Sequence, residues 1–306
     1  MIEKKIHNHL ELLINDLSIS KKEENFLKNK TGYLKNLLRK SSNVPFDSPK
    51  NIIEIISNKL HVKSFWYGGS FDRGVYINKK FDLDIYMIYT LINKNQVKIK
   101  KLSSGNLMNM ILFHDLIYIK ENLNKDLSIL SNPPFSHAIP IRFDFNNKTL
   151  FFDLIFAFEL PQNYLLVPNG MEYVKKINLK LEEEALSKIN DRQNGKATKL
   201  IRLLKFWNWY WNNPVKSYLI QRLVEEIFCN RLIRTWNNAV KIFFNQSLYF
   251  LNQYLNGKIV LRDRVYTNKS ILDDYEENKI IDFYSIFNNA NFYAQNNRWN
   301  ELFGDF

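Results

Sequence analysis

A chain of 306 residues can form one large or two modest domains with real cores, and 45% hydrophobic with 24% charged residues excludes a disordered or fibrous protein. Lys and Arg number 43 against 31 Asp and Glu; the net charge of +12 favours polyanionic partners, namely nucleoside triphosphates, nucleic acid or anionic membrane, against the plainer reading of a solvated lysine surface. A single cysteine, Cys229, in a run that reads as a buried helix face, excludes an intrachain disulfide and a cysteine-based zinc site and points to a reducing cytoplasm. The first residues, Met-Ile-Glu-Lys-Lys-Ile-His, carry early charges and no apolar run of the signal-peptide kind. The most apolar stretch, 110–119, is interrupted by His114 and Asp115 and is too short to span a bilayer, so a soluble protein with no membrane partner is expected.

Ile6, Leu10, Leu13 and Ile14 recur at helical spacing, and Phe26, Leu34, Leu37 and Leu38 do so again, which predicts helices from residue 2 to about 40. Another helix is expected over 51–60, with Ile52, Ile53, Ile55 and Ile56 on its apolar side. From Phe65 the texture changes to short β-rich runs at 64–67, 82–89, 138–145 and 149–156. Asn146-Asn147-Lys148 joins the last two and suits a hairpin. After Pro161 and the Pro168-Asn169-Gly170 turn, helices are expected to return and persist almost to the end. Ala197, Leu200, Ile201 and Leu204 carry that periodicity, as do Leu219, Leu223 and Ile227. No repeat or long linker is visible. The expected architecture is α+β, a mixed lobe over 1–165 and a helical lobe over 166–306, with the N-terminal helices bracing both.

The chemistry concentrates in Tyr67-Gly68-Gly69-Ser70-Phe71-Asp72-Arg73-Gly74 and, after Val75 to Lys80, in Phe81-Asp82-Leu83-Asp84-Ile85-Tyr86. Residues two apart on a strand point to the same side, so Asp82 and Asp84 project together while Phe81, Leu83 and Ile85 face the core. Converging carboxylates repel unless cations lie between them, and such oxygen ligands suit Mg²⁺. Gly68 and Gly69 permit a tight turn whose N–H groups can approach phosphate, and Ser70 adds a hydroxyl. A third acid is expected on a neighbouring strand; Asp153, the lone charge in Phe151-Phe152-Asp153-Leu154-Ile155, supplies it. Taken singly, each piece has a plain reading as a turn, a solvated strand edge or a buried acid held by backbone donors. Their combination in this order is far more specific.

The Gly-Ser turn, the Asp-x-Asp strand and the later lone Asp resemble the signature of the DNA polymerase β-like nucleotidyltransferase superfamily. That group includes archaeal CCA-adding enzymes, oligoadenylate synthetases and the bacterial cGAS/DncV-like nucleotidyltransferases (CD-NTases). Lys199-Leu-Ile-Arg202-Leu-Leu-Lys205-Phe-Trp-Asn208 looks like the family helix whose Lys meets the triphosphate. Lys216-Ser217-Tyr218-Leu219 looks like the following Ser-Tyr motif, where Ser touches phosphate and the aromatic can stack on a base. Tyr164-Leu-Leu-Val-Pro168-Asn-Gly170 and the C-terminal Trp299-Asn-Glu-Leu-Phe-Gly304-Asp-Phe306 are similar to CD-NTases in particular. The resemblance covers nearly the whole chain and implies a polymerase β-like palm, a mixed sheet flanked by helices, followed by a helical lobe. Two departures bear on the fine shape of the pocket: Val75 stands where Thr often follows the Arg-Gly, and Phe156 or a near neighbour stands where Pro often follows the third acid. The His/Cys zinc insertion of animal cGAS is absent, which argues against sensing of double-stranded DNA by that device.

Weighed singly, Lys199, Arg202 and Lys205 crowd one side of a helix as either a solvated face or a cationic wall for phosphates, with the wall favoured for Lys205 and the two readings even for Arg202. Arg73 either approaches phosphates or pairs with an acid. Ser217 serves to cap or begin a helix as well as to contact phosphate. Trp207, Trp209 and Trp211 are read as core packing rather than a base platform. His61, His114 and His137 have no ligand spacing and are read as structural or surface residues.

The resemblance implies two Mg²⁺ or Mn²⁺ ions held by Asp82, Asp84 and Asp153, and nucleotide binding by Gly69, Ser70, Arg73, Arg202, Lys205, Ser217 and Tyr218. It implies NTP substrates, ATP or GTP first and UTP or CTP next, and a cyclic di- or trinucleotide or short linear oligonucleotide as product. In the family such signals act on a separate effector protein in antiphage defence. The alternatives are template-independent addition to RNA or to a protein, which the positive charge would suit, and an inactive nucleotide or nucleic-acid sensor, which the retained acids argue against.

Overall fold

The computed structural model describes residues 2–17, 60–77, 82–91, 137–145, 148–170 and 173–304, with short pieces at 21–22, 24–25, 29, 108–109, 112–113 and 128–129. The helices expected around Phe26 to Leu38 and over 51–59 lie outside the described residues, as do most of 110–119 and the side chains of Phe81 and Asp82. The chain forms two compact units: Ser20–Asp72 with Phe81–Leu179, and Met1–Ile19 with Arg73–Lys80 and Lys180–Phe306.

The first unit is built on a seven-stranded mixed sheet: β1 (Leu60–Gly68), β2 (Asp82–Leu91), β3 (Ser128–Ile129), β4 (Ile139–Phe145), β5 (Lys148–Glu159), β6 (Leu165–Pro168) and β7 (Val174–Ile177). The order is β1-β2-β5-β4-β3, with β6 joined to β5 and β7 to β6. Among the described strands only the β2–β5 pairing is parallel. Leu83, Ile85, Met87, Phe152, Leu154 and Phe156 are all fully buried, as strict alternation requires of one covered face. The expected hairpin is present, with Phe145 paired to Lys148 across the polar connection.

One expectation is corrected. Helices do not return directly after the Pro168-Asn169-Gly170 turn; that turn joins β6 to β7, with Pro168 opposite Val174 and the Asn169 N–H donating to the Tyr173 carbonyl at 2.9 Å, and β7 comes first. Four-residue strands are too short to display a period of two, so the pattern could not separate them from loop. The next helix begins at Leu179.

The second unit is helical. It contains α1 (Ile2–Asp16), α3 (Leu179–Arg192, whose first residue falls in the sheet unit), α4 (Lys196–Tyr210), α5 (Ser217–Phe228), α6 (Trp236–Leu255), α7 (Glu277–Gln295) and α8 (Trp299–Phe303); the four-residue α2 (Gly69–Asp72) follows β1 in the sheet unit. The α4 periodicity read from Leu200, Ile201 and Leu204 buries all three completely, together with Trp207. The Asn190 side chain of α3 accepts from the Thr198 N–H and hydroxyl, each at 3.1 Å, and so caps the start of α4 from the preceding helix. Leu10, Ile14 and Leu17 carry α1 into the same core, and His7 Nδ1 accepts from the Trp236 N–H at 3.3 Å, supplying the cap that Thr235 leaves unmade. Trp299, Leu302 and Phe303 of α8 are buried there too.

Trp207 is fully buried, edge-on to Phe244 at 4.9 Å and tilted against Phe287 at 5.6 Å, so the core-packing reading of that residue holds. Trp207→Ala is expected to destabilise the protein by about 3–5 kcal/mol, measured by denaturant unfolding. A loss under 1 kcal/mol would mean that the aromatic cluster does not pack as a unit.

Candidate active site

Asp84 and Asp153 are direct register partners across the parallel β2–β5 pair. Neighbouring strands lie about 4.8 Å apart, and paired positions of a parallel ladder point to the same face. Both side chains are half-buried, whereas Leu83, Ile85, Phe152 and Leu154, which flank them along the two strands, point to the other face and are sealed. Two carboxylates therefore emerge side by side. Asp82 is the first residue of β2 and pairs with Phe151; its side chain lies outside the described residues. Among the described residues no three His, Cys, Asp or Glu side chains form a metal cage.

Gly68, the last residue of β1, pairs with Asp84, and Gly69 opens α2 with φ +64°. A Cβ on Gly69 would overlap the Asp84 carboxyl group, and one on Gly68 would overlap the Tyr86 ring. The two glycines thus do more than permit a turn. Gly69 makes room for the acid, which lies directly over its backbone, and Gly68 makes room for the Tyr86 ring. Ser70 follows, half-buried. The donor set here is hard oxygen from converging carboxylates, in a space that any side chain at Gly69 would fill, and it fits a Mg²⁺ or Mn²⁺ ion.

Phe156, where the family often has Pro, is fully buried and stacks on Tyr89 with ring centroids 4.3 Å apart. A ring there fills the core beneath the sheet. Val75 is likewise fully buried, in the core of the helical unit, where a hydroxyl would need a partner.

The remaining candidates lie in the helical unit. Arg73 is half-buried, and its Nε is among the described buried polar atoms without a hydrogen-bond partner. Arg202 donates from Nε to the Gly74 carbonyl at 2.8 Å, and its guanidinium lies 5.3 Å over the Tyr76 ring. It therefore anchors the segment that follows the Gly-Ser turn, and burial pulls its pKa below the ordinary arginine value. Lys205 is 7% exposed, which removes the solvated-face reading for this residue. Ser217 is the first residue of α5 and exposed; the cap residue is Lys216, whose side chain makes no capping hydrogen bond, so Ser217 begins the helix without standing at its cap position. Its place is set by Asn208, fully buried, whose side-chain amide donates to the Val215 carbonyl at 2.7 Å and accepts from the Val215 N–H at 3.0 Å. Cys229 stands at the end of α5, half-buried rather than buried, with its thiol donating to the Glu226 carbonyl at 3.1 Å.

Tyr218 is half-buried, and its hydroxyl donates to Glu182 of α3 at 3.0 Å. Glu182 belongs with Arg264, Glu225 and Arg222 to a buried ionic network that the sequence reading missed. No signal announced it, since Glu182 sits in an acidic run and Arg264 in an irregular segment, both of which read as surface.

No family model matches the chain. A probable cyclic nucleotide synthase of Bacillus cereus (strain VD146) is 24% identical, over 77% of this chain and 77% of that protein. Among solved structures, CdnC of E. coli MS115-1 with ATP superposes with a TM-score of 0.70 at 13% identity, over 98% of this chain and 97% of its own. The Vibrio cholerae DncV cyclic AMP-GMP synthase, in complex with the linear intermediate 5′ pppA(3′,5′)pG, gives 0.67 at 13%, over 96% and 92%. The Bradyrhizobium diazoefficiens CD-NTase CdnG with GTP gives 0.66 at 10%, over 97% and 95%. The resemblance read from the acidic motifs thus extends to the whole architecture, and this chain has the fold of the CD-NTases.

Proposed function

We propose that this protein is a metal-dependent nucleotidyltransferase that joins NTPs into a cyclic di- or trinucleotide, or a short oligonucleotide, acting as a second messenger. The observation that carries the reading is the pairing of Asp84 with Asp153 on one face of the sheet, against a glycine that must lack a Cβ. The names of the similar proteins, a probable cyclic nucleotide synthase and a cyclic AMP-GMP synthase, support the product class.

Asp82, Asp84 and Asp153 would hold two Mg²⁺ or Mn²⁺ ions. When bound, the ions would supply a lowered pKa for an attacking ribose hydroxyl and charge neutralisation for the departing pyrophosphate. The chain's own part is positioning and electrostatics. Gly69 and Ser70 admit the triphosphate beside Asp84. Lys205, Arg73 and Arg202 of the helical unit are the proposed phosphate-binding cations. Ser217 contacts phosphate at the start of α5, and Tyr218 offers its ring to a base. The product would activate a separate effector protein in antiphage defence.

Purified protein incubated with radiolabelled ATP, GTP, UTP and CTP and Mg²⁺ or Mn²⁺ is expected to form a phosphatase-resistant small product, and EDTA is expected to abolish it. Label appearing only after RNA or a protein acceptor is added would reassign the enzyme to macromolecular tailing. No product under any of these conditions would overturn the reading.

A further inference from the structure

Tyr218 is the second residue of α5, with its ring packed on the edge of the helical core and its hydroxyl bonded to Glu182 Oε1. Glu182 is paired with one nitrogen of Arg264, whose other nitrogen pairs with Glu225 of α5. Glu225 also accepts from Arg222 Nη1 at 2.7 Å and from Gln221 Nε2 at 2.8 Å. Arg222 and Glu225 are 5% and 2% exposed and the Arg264 and Glu182 side chains 15% and 14%, so the network is largely shielded from water. Two carboxylates meet two guanidiniums, and their charges cancel. Arg264 lies in the irregular chain between α6 and α7, and that segment is itself pinned, because Arg222 Nη2 donates to the Arg262 carbonyl at 2.9 Å.

Four charges buried together contribute little net stability, because desolvation offsets most of their attraction. What they do supply is direction. Arg264 reaches two carboxylates on two different helices with the fixed fork of a guanidinium, and this leaves Glu182 Oε1 in one place. Burial would pull the Arg264 pKa down, but Glu225 and Glu182 more than offset it, and the guanidinium stays charged. Burial, then the charge of Glu182, push the Tyr218 phenol far above the ordinary tyrosine range, so its hydroxyl remains a donor.

We propose that Arg264 is a positioning residue for nucleotide binding: it locks Glu182, and through the hydroxyl of Tyr218 it holds that ring in one orientation as a platform for a nucleobase. The inference rests on the assignment of Tyr218 as the base contact. A ring ordered before the nucleotide arrives loses little freedom on binding, and releasing it weakens binding by about three- to tenfold.

The test is a double-mutant cycle on Kd for ATP and for GTP, measured calorimetrically with Mg²⁺, together with kcat and Tm for each variant. Tyr218→Phe and Arg264→Met are each expected to raise Kd by about three- to tenfold with kcat nearly unchanged, and the double variant is expected to go no further than the worse single one. Multiplying effects in the double variant, or a lowered Tm with unchanged Kd, would overturn the proposal and leave Arg264 a structural residue. If Arg264→Met fails to fold, Glu182→Gln replaces it in the cycle under the same criteria, since it keeps an acceptor of the same shape and removes the charge that Arg264 grips. Binding of ATP or GTP without turnover would sink the synthase reading while the Kd cycle still decides this one. A wild-type protein that binds neither nucleotide would overturn both.

Discussion

Asp84→Asn is expected to slow nucleotide transfer about a thousandfold while the protein stays folded. The side chain is half-buried, so asparagine fits the same space and can keep a carbonyl acceptor, but the negative charge is gone. Removing one charged ligand from a site that stabilises developing charge costs several kcal/mol, and about 1.4 kcal/mol corresponds to each factor of ten in rate. Asp153→Asn, its register partner, should behave alike, and on the proposed reading that the two acids serve one site the double variant should be little worse than either single one. Initial rates with ATP and GTP, beside circular dichroism of each variant, provide the measurement. Near wild-type rates in both single variants would remove the acidic pair from the chemistry.

Gly69→Ala is expected to damage rate and stability together. Its φ of +64° costs an L-residue about 1–2 kcal/mol, and its new methyl group would displace the Asp84 carboxyl. A catalytic group moved by about an ångström forfeits on the order of a hundredfold in rate. Gly257→Ala separates the two causes, because Gly257 has a φ of +77° and nothing within 4 Å of the added Cβ. That control should lose a similar stability with an unchanged rate. Equal rate losses in both variants would mean that backbone strain alone, and not the crowding of Asp84, is responsible.

The site was legible in proportion to how local its residues are. Asp82 with Asp84, and Gly68 with Gly69, are separated by one residue or none, so strand periodicity and turn chemistry suffice to read them. Asp153 stood out as a lone charge in an apolar run, and the structure places it opposite Asp84. Lys205 was harder: helical spacing set it beside Lys199 and Arg202, yet only burial distinguishes it from a solvated lysine. The Glu182–Arg264–Glu225 network was invisible, because its members lie on three separate stretches of chain and each looks like an ordinary surface charge.

By itself the sequence determined the α+β class, the strands carrying the acids and the periodic helices after 196. All of these depend on interactions between residues close along the chain. Tertiary structure alone decided that β2 and β5 run parallel with Asp84 and Asp153 in register, that β6 and β7 extend the sheet, and that the segment from Arg73 to Lys80 belongs with the helices. It also decided that Gly69 is required by the carboxyl group above it and that Tyr218 is tied to a buried ionic network. Each of these is a pairing between distant segments, settled by packing and by the satisfaction of buried charge, for which no local pattern of residue types carries a signal.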